Sequence, residues 1–286
     1  MTAPSLFCFG LGYSARHLAR RLRHEGWTVA GTAREPPATP GEFPLHRFNR
    51  DHRLGDPAST LAGVTHALIS VPPNDEGCPV FAAHGADLAA LESLQWLGYL
   101  STTSVYGDRN GAWVDEDSPT RPSGERGAWR VKAETQWLGL GVAVNAFRLA
   151  SIYGPGRNTL DALAAGTARR IVKPGQVFSR IHVEDLAETL SRAMTRRDPG
   201  RVYNVCDDEA APQDAVVAFA ASLLGMTPPP LEAFDAATLS PLARSFYDDN
   251  KRVANRRIKD ELGIVLRYPS YREGFAALSR AAASAS

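Results

Sequence analysis

The sequence predicts an α/β fold, a doubly wound parallel sheet with a smaller C-terminal lobe. Three observations carry that expectation. Short apolar runs alternate with amphipathic helical stretches through most of the chain, the pattern of crossover units that build a parallel sheet. A glycine turn joins the first apolar run to the first helical stretch. From Tyr153 the rhythm breaks, which sets off a second, smaller lobe. With 286 residues, 44% of them hydrophobic, the chain can bury a core as one large or two modest domains.

The elements follow in order. Residues 5–15 read SLFCFGLGYSA: an apolar strand over 6–9 meets Gly10-x-Gly12-x-x-Ala15, and Leu18, Ala19 and Leu22 then recur at helical spacing. Gly10 permits the sharp turn, Gly12 lets the backbone approach a pyrophosphate, and Ala15 lets the helix pack close to the strand. The helix start presents unpaired N–H groups and a positive dipole end to the phosphates. The turn therefore reads as a Rossmann-type dinucleotide site. Cys8 alternates with apolar neighbours inside the strand, so it belongs to the core and is no nucleophile. Further strands follow at 27–31, 44–48 and 66–71, the last stopped by Pro72 and Pro73. A helix at 82–94, a fifth strand at 97–102, a helix at 126–138 and a sixth strand at 142–148 complete the regular part.

Past a turn at 154–156 the pattern predicts a helix near 159–170, a strand at 180–183 and a helix running through Met194. A strand at 202–206, a helix at 215–224, a proline loop at 228–230 and two helical stretches follow. The chain is expected to cross between lobes more than once. Residues 1–158 and 180–207 form the nucleotide-binding domain, and 159–179 and 208–286 the small lobe. The terminal AAASAS is expected to fray.

Composition excludes several classes of function. A net charge of +1 provides no basic footprint for nucleic acid. No apolar run is long enough to span a bilayer, and the first strand starts too close to Met1 to leave room for a signal peptide. Cys8, Cys78 and Cys206 are odd in number and scattered, without metal-ligand spacing, which points to a reduced, cytoplasmic compartment.

Four segments lie behind the glycine turn: Ser101-Thr102-Thr103-Ser104-Val105-Tyr106-Gly107, Arg148-Leu149-Ala150-Ser151-Ile152-Tyr153-Gly154-Pro155-Gly156, Ile181-His182-Val183-Glu184-Asp185-Leu186-Ala187 and Val202-Tyr203-Asn204-Val205. Together, and in this order, they resemble the extended short-chain dehydrogenase/reductase family, the group of nucleotide-sugar epimerases and dehydratases. The resemblance covers nearly the whole chain. Gly10-Leu11-Gly12-Tyr13-Ser14, Ser70-Val71-Pro72-Pro73, Ser179-Arg180-Ile181-His182, Asn250-Lys251-Arg252-Val253-Ala254-Asn255 and Tyr268-Pro269-Ser270-Tyr271-Arg272-Glu273-Gly274 are similar to an atypical, YeeZ-like branch of it.

The turn predicts a bound dinucleotide, and the resemblance implies that it is a nicotinamide cofactor. In an NAD site an acidic residue closes the second strand and holds the ribose 2′-OH. Here that strand ends Ala30-Gly31-Thr32-Ala33-Arg34, with no acid before Glu35. The Arg34 fork suits a 2′-phosphate, so NADP(H) is favoured over NAD(H). Arg16 near the helix start is opposed by the dipole, a hint that an anion offsets it. The expected cofactor residues are Gly10, Gly12, Tyr13, Ser14, Ala15, Arg34, Val71 and Pro72.

The resemblance implies hydride chemistry by a Ser/Thr, a Tyr general acid/base and a Lys four residues after the Tyr, which lowers the phenol pKa and holds the nicotinamide ribose. Three residues before Val105, Thr102 takes the hydroxyl position, and Lys132 takes the Lys position. Four residues before Lys132 stands Ala128, not Tyr. Tyr106, Tyr153, His84, His182 and the acids Asp108, Asp115, Glu116 and Asp117 offer no compelling substitute. Arg157 and Arg180 are candidates to meet an anionic substrate group. The position where nucleotide-sugar enzymes often carry a pyrophosphate-binding Arg, five before Val183, is Phe178. The expected function is an oxidoreductase or epimerase-like enzyme on a small carbonyl/hydroxyl or sugar-like substrate, with a rearranged acid/base. The alternative is a non-catalytic NADP(H) sensor or scaffold protein. The resemblance also implies a homodimer paired through the helices 82–94 and 126–138, the second carrying Val131, Trp137 and Leu138.

Overall fold

The computed structural model describes residues 4–39, 41–196 and 199–285. The strands are β1 (Ser5–Phe9), β2 (Thr28–Ala33), β3 (Leu45–Arg47), β4 (His66–Ile69), β5 (Trp96–Thr102), β6 (Trp113–Val114), β7 (Val144–Leu149), β8 (Ser151–Tyr153), β9 (Arg170–Val172), β10 (Arg180–His182), β11 (Arg201–Val205), β12 (Leu231–Ala233) and β13 (Arg252–Val253). The helices are α1 (Tyr13–His24), α2 (Pro57–Thr60), α3 (Pro79–Ala89), α4 (Glu125–Leu138), α5 (Thr159–Ala164), α6 (Val183–Met194), α7 (Gln213–Leu223), α8 (Pro241–Ser245), α9 (Arg256–Leu262) and α10 (Tyr271–Ala285). A 3-10 turn spans Thr103–Tyr106.

Seven strands form one parallel sheet in the order β11-β7-β5-β4-β1-β2-β3. The order reverses between β1 and β4, and in open α/β sheets a ligand sits at such a crevice, beyond the carboxyl ends of the strands. Side-chain alternation divides each strand between two cores. Leu6 and Cys8 of β1 join Leu18, Leu22, Leu186, Leu190, Ile258 and Leu262 on one face. Phe7 and Phe9 join Val80, Leu88, Ala133 and Trp137 on the other. Three two-stranded parallel pairs, β10-β8, β12-β9 and β13-β6, lie outside the main sheet. Within the stretch 208–286, α9 packs on α6 and β11, whereas α7 and α10 form a further core with α5 around Tyr153, Leu160, Val217 and Phe275.

Several boundaries differ from the sequence reading. The helix expected over 159–170 stops at Ala164 because Gly166 adopts φ +68° and the Thr167 and Ala168 N–H groups turn back to the Ala162 carbonyl. The chain then extends, and β-branched Ile171 and Val172 pair with β12. Of the tail 281–286 expected to fray, α10 continues as far as Ala285, in keeping with the helix propensity of alanine, and Ser286 lies outside the described residues. The helix expected at 82–94 starts earlier, with Pro79 in its first turn, and ends at Ala89. Trp137, read as part of a pairing surface, is fully buried against its own sheet, with the Phe81 ring edge-on at 5.1 Å. Among the described residues no helix is long and apolar enough to cross a membrane.

Candidate functional site

The glycine turn lies at the carboxyl end of β1, beside the end of β4. Gly10 has φ +88°, and a Cβ there would sit 3.2 Å from the Val71 side chain. Its N–H donates to Thr32 Oγ1 at 2.9 Å, which ties the turn to β2. A Cβ added at Gly12 would meet nothing within 4 Å. Helix α1 starts at Gly12 with no side-chain cap and no acidic residue in its first turn. Ser14 and Ala15 are buried against the strand. A backbone cradle open in front of Gly12 and an uncapped helix end fit a pyrophosphate. Val71 and Pro72 follow β4 after Ser70, and Arg34 follows β2 directly, exposed and without a carboxylate partner among the described residues. The carboxyl ends of three neighbouring strands thus bring together the residues expected around the cofactor.

At the end of β5, Thr102 is half-buried, and its Oγ1 accepts from the Ser104 N–H at 3.3 Å, capping the 3-10 turn. Helix α4 packs on both β5 and this turn. Lys132 is exposed on α4, and its Nζ donates to the Asp75 carbonyl at 3.1 Å. Ala128, one helical turn earlier, is also exposed, with no phenol to share that face. No hydrogen bond joins Thr102 to Lys132 among the described residues.

Behind Thr102 lies a buried polar network that sequence reasoning missed. Ser101 Oγ donates to Glu134 at 2.5 Å, and Arg148 forms a salt bridge to Glu134 at 2.9 Å. Tyr106 donates to Asn204 Oδ1 at 2.6 Å and accepts from Arg148 at 3.0 Å. Burial pushes the Tyr106 phenol up to about 12, so it holds structure and is no acid near neutrality. The available signal was Arg148 inside the otherwise uncharged strand VNAFRL, because a buried charge demands a partner.

The other candidate acids and bases also have structural partners. His84 stacks on Phe9 at 5.7 Å, accepts from the Leu54 N–H and bonds Asp87. Asp108 accepts from the Asn110 and Asn250 N–H groups, Asp115 from Ser118, Glu116 from the Asn204 N–H and Asp117 from Arg257. His182 caps α6 by accepting from the Glu184 N–H at 3.2 Å, while its buried Nε2 has no hydrogen-bond partner among the described residues. Desolvation lowers its pKa to about 4. Tyr153 is buried and donates to the Ser270 carbonyl, and burial raises its phenol pKa.

A cavity of about 390 Å³ opens between β8 and the turn after it, β10, α5, α7 and α10, lined by Tyr153, Arg157, Asn158, Arg169, Arg180 and Val217 among others. Arg157 and Arg180 thus share one cavity. Arg180 is buried, donating to the Phe178 and Ala211 carbonyls and to Gln213 Oε1. Asp207 lies close enough to interact with it, its Oδ2 buried and without a hydrogen-bond partner among the described residues, its carboxyl pushed up to about 8 by desolvation. Arg157 is exposed and stands over the Tyr13 ring at 5.7 Å. The Tyr13 hydroxyl donates to the Pro155 carbonyl at 3.1 Å, so the glycine turn touches the loop that carries Arg157. Phe178 packs edge-on against Tyr247 at 5.1 Å, inside an aromatic cluster.

No family model matches the chain. A solved structure of a conserved protein of unknown function from Silicibacter pomeroyi is 50% identical, with a TM-score of 0.91 over 98% of this chain and 99% of that one. Protein YeeZ of Escherichia coli K12 is 27% identical over 278 residues, which cover 91% of this chain and 94% of YeeZ. MoeE5, solved in complex with UDP-glucose and NAD, is 21% identical with a TM-score of 0.79 over 99% of this chain and all of that one, a likeness of fold.

Proposed function

We propose that the chain is a member of the extended short-chain dehydrogenase/reductase family, in its YeeZ-like branch, and that it is an NADP(H)-dependent oxidoreductase or epimerase-like enzyme. Its substrate is a small carbonyl/hydroxyl or sugar-like molecule, and its acid/base is altered. The observation that carries this reading is the open cradle at Gly12, set before an uncapped helix start at the reversal point of the sheet. The NAD in the MoeE5 complex supports a nicotinamide cofactor on this fold. Arg34 just past β2 supports the phosphorylated form.

Residues from Gly10 to Ala15 hold the pyrophosphate, Arg34 the 2′-phosphate, and Val71 and Pro72 flank the dinucleotide. When bound, the nicotinamide supplies or accepts a hydride. The Thr102 hydroxyl orients the substrate oxygen. Lys132 holds the ribose on release from the Asp75 carbonyl. Cytoplasmic residence and a homodimer through α3 and α4 belong to the same reading.

One observation favours the second reading, a non-catalytic NADP(H) sensor or scaffold. Ala128 leaves the position before Lys132 without an acid, and the Lys132 ammonium is engaged by a loop carbonyl. The deciding experiment is calorimetric titration with NADPH and NADH, run beside reduction of a carbonyl panel by wild type and Ala128→Tyr. The enzyme reading expects tighter NADPH binding, slow wild-type reduction and a faster Ala128→Tyr variant. General acid/base catalysis, at roughly 10²–10⁴-fold, sets the ceiling for that gain. Tight binding with no turnover by either protein selects the sensor. No binding of either cofactor sinks both.

A further inference from the structure

We infer that the cavity between β8, β10, α5 and α7 takes a compact anionic substrate without a nucleotide, a carboxylate or a phosphate monoester, and that Arg157 is the residue that holds the anion. The inference rests on the proposed function only in calling the bound anion substrate.

The three arginines of the cavity are not equivalent. Two hydrogens on Arg180 Nη1 are engaged by the Phe178 and Ala211 carbonyls, and Nη2 is engaged by Gln213. Arg169 is committed to Glu232 and to the Thr238 carbonyl. Arg157 alone makes no side-chain hydrogen bond or ion pair among the described residues; its contact is the face of Tyr13. Its backbone is set by reciprocal bonds with Gly154, each 3.0 Å, so the side chain starts from a fixed turn. Arg180 therefore contributes charge from behind, and Arg157 contributes the free fork that a carboxylate or phosphate accepts.

Size and wall chemistry limit the rest of the ligand. At about 390 Å³ the cavity lies toward the small end of ligand pockets, which run roughly 300–1,000 Å³. Among the described residues no Asp or Glu lines it, and Ile152, Val217 and Phe275 supply an apolar wall. A nucleoside diphosphate needs anchors for two phosphates. The position where the resemblance expects a pyrophosphate-binding Arg is Phe178, packed edge-on against Tyr247. Through Tyr13 the cavity also adjoins the glycine turn, so an anion at Arg157 sits next to the cofactor loop.

The test uses the full chain, free and saturated with NADPH, titrated with inorganic phosphate, with acetate and with UDP-glucose, and followed by ligand-observed NMR and calorimetry. Phosphate or acetate is expected to bind the NADPH-saturated protein, and Arg157→Met to weaken that binding about tenfold or more, the effect of one charge-assisted contact. Arg169→Met, whose partner is Glu232, should change it less than twofold. The relative strength of the two probes tells phosphate esters from carboxylates. UDP-glucose should bind no tighter than phosphate. Three outcomes overturn the inference: neither small anion binds, binding survives Arg157→Met, or UDP-glucose binds tenfold tighter than phosphate and loses that advantage in Arg157→Met. Phosphate binding that disappears on NADPH saturation belongs to the glycine turn and also overturns it. If NADPH itself does not bind, the cofactor reading falls, while the Arg157→Met arm on the free protein still decides the anion.

Discussion

The two halves of the sheet end in different ways. At the carboxyl ends of β1, β2 and β4 the chain presents backbone: a glycine at φ +88°, a second glycine with open space before it, and a helix start with no capping side chain. At the carboxyl ends of β5, β7 and β11 it presents side chains that satisfy one another, from Ser101 through Glu134, Arg148 and Tyr106 to Asn204. In the first half the N–H groups of Gly10, Leu11 and Gly12 bond within the turn and to β2, and no side chain caps the helix start that follows. In the second half the polar side chains pair with one another, and most of them are buried. A polar residue near a site is therefore a candidate for chemistry only where its partners are missing. By that standard Tyr106, Glu134 and Arg148 hold the frame, while among the described residues the Arg34 and Arg157 side chains are left without a carboxylate partner.

The largest expected effect tests the closed half. Glu134→Ala removes the partner of a buried guanidinium and should destabilise the protein by about 3–5 kcal/mol, read by urea unfolding. A loss below about 1 kcal/mol would mean that water reaches Arg148 and that the half is not closed.

His182 extends the comparison to pH. Its imidazole is neutral when folded, with a pKa lowered to about 4, against 6.5 for the ordinary group. Above pH 6.5 both folded and unfolded chains hold it neutral, and it costs nothing. As pH falls from 6.5 toward 4, the unfolded chain takes a proton that the folded chain refuses, so stability drops, by about 3 kcal/mol in all. His182→Asn keeps a capping acceptor for the Glu184 N–H without the titration. Its unfolding free energy should fall less than that of wild type across this range. Equal slopes for the two proteins would place the acid sensitivity elsewhere. Asp207, raised to about 8, works in the opposite sense, since the folded chain binds its proton first and gains stability as pH falls through that value.

The open half should respond in binding instead of stability. Gly12 has φ −89°, which any residue adopts, and its Cβ direction is free of protein. Gly12→Val should melt close to wild type, within about 1 kcal/mol. It should nevertheless lose NADPH affinity by about 100-fold or more, because the branched side chain stands where the pyrophosphate approaches. Unchanged affinity in a calorimetric titration would move the cofactor away from the turn. The smallest effect expected is at Arg34. Arg34→Glu should shift the preference from NADPH toward NADH by about tenfold, the scale of one charged hydrogen bond. Equal affinity of wild type for both cofactors would remove Arg34 from the site.

Local pattern was enough for the parts of this protein that depend on neighbours in the chain. The glycine turn, the strand-helix alternation and the place of Arg34 after β2 all follow from spacing and backbone freedom over a few residues. So does the burial of Cys8, whose 0% exposure follows from alternation in a central strand. What distant segments supply was not legible in the sequence. Only the fold pairs Glu134 with Arg148, turns Trp137 inward and divides the arginines of the cavity into two that are engaged and one that is free. The end of α5 and the onset of β9 likewise depended on a partner strand about 60 residues away, β12, which pays the cost of extending Ile171 and Val172 by pairing them. A charge or a strand acquires its role from the groups that answer it, and in a sheet assembled by crossovers those groups lie far along the chain.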